Sequence, residues 1–414
     1  MRIVAFTLLA LALRVGGAGA AQEPPLVGSR CATGALVDPV FRDQALAALE
    51  RLVVHAPGQA ADGAVFSHQS AGYIDAQGRA WHQVSAYQAN LGVIGALRVA
   101  PRLLPLAAAW LRWQARHIAP VGAPRGVVID HWVRAGDLEE STCPPGIAPH
   151  LCGTVDAYDS TAASTLLLAD AYLRFGGDLA VLRDPPMRQA LEAAASALGG
   201  LTVADGLTVA KPTYLVVYTM DMAEVVAGWR AWARLQRNAY AQPASADNTL
   251  ASAARAEAGT LLRLWDAPSG AWRVDLNAGA PQRNRWYPDT VAQAWPMLWG
   301  LDTADPERGR KAWRRAVAPW QGGASHWARS NVDPAGFWWP AVAVAALCTG
   351  DDASARTWVA RARRHWLDPA APFAWPFQVG DLLWLSWLAS PEPMSAEPTV
   401  PSPTSTPNPR GDSP

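Results

Sequence analysis

Two kinds of helical stretch alternate along this chain, and the alternation limits the fold more than any single motif does. One kind is amphipathic. In Pro39–Val54, residues Val40, Phe41, Ala45, Leu46, Leu49, Leu52 and Val53 fall on one stripe at the helical period. Further amphipathic stretches lie near 102–117, 184–198, 246–265, 306–319 and 352–366. The other kind is apolar on nearly every face, as in DSTAASTLLLADAYLRF (159–175) and VGDLLWLSWL (379–388). Stretches of that kind begin near Tyr87, Asp159, Thr219, Pro288, Gly336 and Trp375. Helices that are apolar all round belong inside a molecule, and one-sided helices belong outside. Six of each in alternation predict an all-α fold, an (α/α)6 toroid of six helical hairpins with its inner helices parallel.

Parallel inner helices place all their N-termini at one end. The long loops that feed them, 55–85, 119–157, 201–216, 266–286, 321–335 and 367–374, gather on the same rim. Short β pieces are expected there, at Gly206–Lys211, Leu215–Tyr218 and Ala271–Leu276. The returning turns are short, as in GGD (176–178) and TGDD (349–352), where Gly can end a helix. Pro288, Pro334 and Pro340 sit near helix starts, where a missing N–H matters little. Pro296 lies deeper and should kink its helix.

The ends read differently. Arg2, the apolar stretch Ile3–Leu13 and the small residues Ala18-Gly19-Ala20 have the form of a signal peptide over 1–20. An N-terminal segment follows over 21–38, then the toroid over 39–390, then a disordered Pro/Ser/Thr-rich tail over 391–414. No later segment reads as a membrane span. The expected location is therefore secreted or periplasmic. Four cysteines fit that compartment. Cys143 and Cys152 flank the loop CPPGIAPHLC and form the expected disulfide; Cys31 and Cys348 form a second bridge, or Cys348 is a buried thiol. No zinc spacing, Walker A, GxGxxG, GxSxG or HExxH motif occurs, so neither a metal nor a cofactor is expected. The acidic stretch Asp137 to Glu140 reads as a solvated loop or a cation holder.

Lys plus Arg total 35 and Asp plus Glu total 35, so the chain lacks the basic footprint of a nucleic-acid binder. A monomer is expected. Tryptophan, at 21 against 8 Tyr and 7 Phe, is the unusual component. Trp110, Trp113, Trp229, Trp232, Trp313, Trp358 and Trp366 stand at helical spacing and read as core. Trp81, Trp132, Trp272, Trp286, Trp327, Trp338, Trp339 and Trp375 stand at the rim, where a flat indole matches the apolar face of a pyranose.

Aromatic-plus-Asp starts mark the inner stretches: VDAYDSTAASTLLLADAYLRFGGD (155–178), YTMDMAEVVAGW (218–229), RWYPDTVAQAWPMLWG (285–300), DPAGFWWPAVAVAALCTGDD (333–352) and FAWPFQVGDLLW (373–384). Over roughly 39–389 the pattern resembles the six-hairpin glycosidase superfamily. The resemblance implies a carbohydrate substrate and an open cleft. Inverting endoglucanases of that superfamily carry a Glu general acid, in a Ser-Glu-Gly context, on the first hairpin. The matching loop here, VFSHQSAGYIDAQGRAWHQVSAYQ (65–88), has no Glu and departs from them.

Glycoside hydrolysis needs two carboxyl groups, one protonated and one ionised. Asp75, Asp130, Asp156, Asp159, Asp221, Asp289 and Asp333 are at the rim, and Asp156, Asp159, Asp130, Asp221 and Asp289 are the catalytic candidates. Helix N-termini should lower the pKa of Asp159, Asp221 and Asp289, which suits bases or hydroxyl acceptors. Asp130 and Asp156, in aromatic settings, suit the donor. Each is equally a candidate helix cap. Asp221 and Glu224 share a helix face, with Glu224 a carboxyl partner or a buried polar contact. The candidate sugar-binding residues are Tyr87, Trp132, Tyr158, Tyr218, Trp286, Tyr287, Trp338, Trp339 and Trp375. The leading expectation is an exported glycoside hydrolase, inverting where active. One alternative is a polysaccharide lyase using His68, His82, His131 or His326 with Tyr87, Tyr158 or Tyr287. The other is a non-catalytic sugar-binding or scaffold toroid.

Overall fold

A computed structural model describes residues 35–118, 126–203, 206–240, 259–301, 305–323 and 326–390. The expected signal peptide, the tail, Cys31 and most of the 246–265 stretch lie outside the described residues. In chain order the helices are α1 (Pro39–Leu52), α2 (Ala86–Val99), α3 (Leu104–His117), α4 (Tyr158–Arg174), α5 (Leu179–Arg183), α6 (Pro185–Leu201) and α7 (Thr219–Asn238). They continue with α8 (Trp295–Leu298), α9 (Pro306–Val317), α10 (Pro340–Cys348), α11 (Asp352–Trp366) and α12 (Leu382–Ala389). Among the described residues, no helix is long and apolar enough to cross a membrane.

Burial follows the two kinds of stretch. On α4 every residue from Asp159 to Tyr172 is buried, and on α10 every residue is, whereas α1 and α11 bury one stripe. The one-sided helices start as their sequences direct. Asp38 accepts from the Phe41 amide at 3.0 Å ahead of Pro39, and Asp351 accepts from the Ser354 amide at 3.1 Å. The apolar helices pack on one another: α2 on α4, α4 on α7, α7 on α8, α8 on α10, α10 on α12, and α12 back on α2. Glycine permits the closest approaches. A Cβ at Gly95 of α2 would strike the Leu382 carbonyl of α12, and one at Gly228 of α7 would lie 2.8 Å from Ala163 Cα of α4. Away from the loops, Arg234 of α7 forks onto Asp170 of α4 in a buried ion pair at 2.7 Å.

Pro296 breaks its segment more completely than a kink would. Residues 286–290 form a π turn, 291–293 a 3-10 turn, and only α8 is α-helical, because Pro296 has no N–H for the preceding turn. The β structure also differs from expectation. A four-stranded antiparallel sheet, β1 (Tyr73–Ile74), β2 (Ala80–Val84), β3 (His131–Arg134) and β4 (Glu140–Ser141), is built from the first two rim loops. The strands expected at Gly206–Lys211 and Leu215–Tyr218 reduce to the isolated bridges Thr202–Thr208, Lys211–Tyr214 and Tyr218–Asp275. Of Ala271–Leu276, only β6 (Ala271–Trp272) is strand, paired with β5 (Trp265–Asp266). Cys143 and Cys152 are disulfide-bonded beside β4. Cys348 is also disulfide-bonded, so it is not a buried thiol.

Candidate active site

The loop-fed ends of the apolar helices surround a cleft of about 890 Å³. Tyr87 and Gln88 come from α2, Ser160 and Thr161 from α4, and Asp221 and Glu224 from α7. Tyr287 and Trp295 come from the broken segment, Trp339 from the approach to α10, and Asp381 and Trp384 from the start of α12. The sheet supplies one wall through Gln83 and Trp132, which stand opposite each other in register.

Five carboxyl groups line this space: Asp130, Asp156, Asp221, Glu224 and Asp381. Asp130 leads into β3, and Gln83 donates its amide to Oδ2 at 2.9 Å. Burial pushes the Asp130 carboxyl up to about 7, against the Gln83 bond and with help from the charge of Asp156. Asp156, just ahead of α4, is exposed in the cleft. Asp221 is half-buried, meeting the cleft on one side and enclosed by protein on the others. Burial, then the charges of Asp159, Glu224 and Asp156, raise it well above the usual carboxylate range. Glu224 is 2% exposed, and its Oε1 accepts from Tyr87 Oη at 2.7 Å and Trp295 Nε1 at 3.0 Å. Burial still pushes it up to about 7. Asp381 accepts from the Gln378 amide at 3.1 Å, and burial pushes it up to about 7.

Asp159 sits behind this wall. Its carboxylate takes the Ser160 amide at 2.8 Å and the Thr208 hydroxyl at 3.1 Å, yet burial and the charge of Glu224 push it up to about 7. The expectation that helix starts lower Asp159 and Asp221 is therefore reversed. A helix end favours charge modestly, and burial among like charges outweighs it. Asp289 is not brought to the cleft. It is 3% exposed and ties down the loop before it, accepting from the Gln282 amide at 2.7 Å and from Arg285. Asp75 closes a turn, with Trp81 Nε1 at 3.1 Å.

Of the expected sugar-binding residues, Tyr87, Trp132, Tyr218, Tyr287, Trp339 and Trp375 line the cleft. Tyr158, Trp286 and Trp338 do not. Tyr158 packs half-buried against the core, and Trp286 is buried against Trp320 and Trp327. Trp338 is stacked on His365 at 4.7 Å, with Arg361 over its ring. Trp81, Trp272 and Trp327 are core as well, because these rim loops are packed layers with interiors of their own. Trp339 holds left-handed backbone, φ 51°, stacks on Tyr287 at 4.7 Å and donates Nε1 to Asp333 at 2.7 Å. Trp132 Nε1 is buried without a partner.

Among the histidines, His68 meets the cleft, edge-on to Trp375 at 5.2 Å. His82 stacks on Phe66, His131 bonds the Ile129 carbonyl, and His326 accepts from the Ala328 amide. In the acidic stretch, Arg134 pairs with Asp137, and Glu140 bonds His117 and Trp113. No group of metal-ligating side chains occurs among the described residues. Sequence reasoning missed Gln83, Tyr214, Trp295, Asp381 and Trp384. Asp381 had a legible signal, a lone acid in QVGDLLWLSWL.

No family model and no curated protein matches the chain. Solved structures do. A glycosidase in complex with glucose, carrying a Glu-to-Ala substitution, aligns with a TM-score of 0.53 at 14% identity, over 86% of this chain and 100% of its own. A wild-type glycosidase aligns with a TM-score of 0.51 at 15% identity, over 85% and 97%. The chain has the fold of these glycosidases. Most of its length takes part in that likeness.

Proposed function

We propose that this chain is an exported glycoside hydrolase on an (α/α)6 toroid spanning 39–390, with Asp130 as general acid and Asp156 as general base. The observation that carries the reading is the pairing of these two carboxyls in an aromatic-walled cleft. One is pushed up to about 7 by burial; the other is exposed and near enough for its charge to raise the first further. The circuit of contacts from α2 round to α12 supports the ring. The fold shared with glycosidases supports the reaction class, and the disulfides support export.

Held by Gln83 at Oδ2, the Asp130 carboxyl still carries a proton as the pH approaches about 7. That proton passes to the glycosidic oxygen as the bond from that oxygen to the anomeric carbon breaks. Asp156 takes a proton from the water whose oxygen bonds to that carbon. Asp221 and Glu224, at the floor, then serve as hydroxyl acceptors. A lyase reading is less well supported, since Tyr87 is committed to Glu224 and is raised well above its usual range by burial and that carboxylate.

The test scores reducing ends and unsaturated products from a panel of poly- and oligosaccharides. Asp130→Asn and Asp156→Asn should each lose about 100-fold or more in turnover while remaining folded. Wild-type turnover should fall as the pH rises past about 7, where Asp130 loses its proton. Undiminished turnover in both variants overturns the assignment. Glycan binding with no product from any substrate returns the non-catalytic toroid.

A further inference from the structure

Five carboxyl groups face the cleft, and among its described lining residues Lys211 is the one lysine or arginine. The carboxyls repel one another. Asp221 is raised by Asp159, Glu224 and Asp156, and Asp130 by Asp156, with Lys211 a minor counterweight. Within the wall, the Asp130 carboxyl receives side-chain bonds from the neutral groups of Gln83 and Ser85 and faces the cleft with no cationic side chain bonded to it. Aromatic faces at Trp339 and Trp375 stand beside the acids, and their π clouds also attract cations. A cleft so short of positive charge is completed by a ligand that brings it.

We propose that the glycan taken by this cleft carries free, protonated amino groups, as an oligosaccharide of 2-amino-2-deoxy sugars does. The inference rests on the carbohydrate-binding part of the function proposed above and names the substrate class of the same site. An ammonium group offers three donors and one positive charge to acceptors that have neither. In a site partly shielded from water, that complementarity discriminates strongly. Uronate and sulfated glycans meet like charge and are rejected. Amine binding also favours the ionised form of each carboxyl, so carboxyls half-protonated near neutral pH release protons when the ligand enters.

The experiment is titration calorimetry with three oligosaccharides of equal length: β-1,4-linked glucosamine, its fully N-acetylated form, and β-1,4-linked glucose. Asp130→Asn, which leaves four of the five cleft carboxyls, is used so that hydrolysis does not intervene, and competition against wild-type turnover, with all five present, provides a second measurement. The amine ligand should bind at least about tenfold more tightly than either neutral one at low salt, with the advantage shrinking at high salt. Two buffers of different ionisation enthalpy should reveal proton release for the amine ligand alone. Equal affinities, or a preference without proton release, overturns the inference. An amine preference with no product from any glycan keeps it and removes the hydrolase. Product from neutral glycans with no amine preference does the reverse.

Discussion

Tyr87 donates its hydroxyl to Oε1 of Glu224 at 2.7 Å across 137 residues of sequence, joining the start of α2 to the first turns of α7. Trp295 Nε1 reaches the same oxygen at 3.0 Å, so a third segment is tied to that point. A buried carboxylate needs such donors, and removing one leaves charge unsatisfied. Tyr87→Phe should therefore destabilise the protein by about 1–3 kcal/mol near pH 8 and by less near pH 5, where the carboxyl is neutral. Chemical denaturation at the two pH values checks it. An equal loss at both would mean that ring packing, and not the bond to Glu224, is what Tyr87 supplies.

The cleft acids also set how stability follows pH. Asp130, Asp159, Glu224 and Asp381 are pushed up to about 7 chiefly by burial, and burial with neighbouring charges raises Asp221 well above its ordinary value. Above their ordinary values near 4 the unfolded chain has released these protons, while the folded protein keeps them. The folded state then binds more protons, and stability falls as pH rises through the window from about 4 to about 7. Asp75 works in the opposite sense. Although burial alone would raise it, bonds from Trp81 and Arg79 hold it down to about 2, so its contribution is lost as pH falls below about 4. Thermal unfolding across pH should show a maximum near pH 4–5 and a decline toward neutrality. A maximum at pH 7 or above would mean that the cleft acids are ionised in the folded protein.

The helical scaffold was legible because one property, apolar on all faces or on one, repeats over stretches long enough to average out exceptions. The dry setting of Asp130 was legible because the acid stands beside His131 and Trp132, and burial does raise its carboxyl. What escaped was short or depended on packing. β2 is five residues and β4 two, too brief for a periodic signal, and β2 pairs with β3 about 50 residues further along the chain. Trp286 and Trp338 read like cleft residues because their neighbours Tyr287 and Trp339 are. In both pairs only one of the two adjacent rings faces the cleft, and sequence does not say which. The raised pKa values of Asp159 and Asp221 arise chiefly from burial and then from carboxyls that include ones on a neighbouring helix, so no local rule could find them.

Asp333 shapes the cleft without entering it. Its Oδ1 accepts from the Ala335 amide at 2.8 Å and the Phe337 amide at 3.3 Å, and its Oδ2 accepts from Trp339 Nε1 at 2.7 Å. That anchor fixes an indole whose backbone is in the left-handed region, an arrangement that a bulky residue keeps only when its surroundings impose it. Asp333→Ala should destabilise by about 1–3 kcal/mol and raise KM for glycan several-fold with a smaller change in kcat, because the wall loosens while Asp130 and Asp156 stay in place. Steady-state kinetics beside an unfolding curve separates the two effects. A fall in kcat with unchanged KM would place Asp333 in the chemistry instead.

The ion pair between Asp170 and Arg234 tests whether scaffold and cleft separate energetically. Asp170 is 1% and Arg234 6% exposed, and the guanidinium meets both carboxylate oxygens, Nε at 3.1 and 3.0 Å and a terminal nitrogen at 2.7 Å. Asp170 is in the last turns of α4 and Arg234 in those of α7, whereas Asp156 and Asp221 stand at the opposite ends of the same helices. Asp170→Asn keeps the shape but removes the buried carboxylate charge on which Arg234 forks, which costs about 3–5 kcal/mol. A paired replacement, Asp170→Leu with Arg234→Met, removes both charges and should recover most of that loss, since a buried pair adds little over well-packed apolar groups. Turnover per folded molecule should be unchanged in both, because the cleft is about four helical turns away. Denaturant midpoints and activity at a temperature well below unfolding give the two readouts. If the paired replacement is as unstable as Asp170→Asn, the ion pair contributes attraction beyond its own desolvation and anchors α4 to α7 outright.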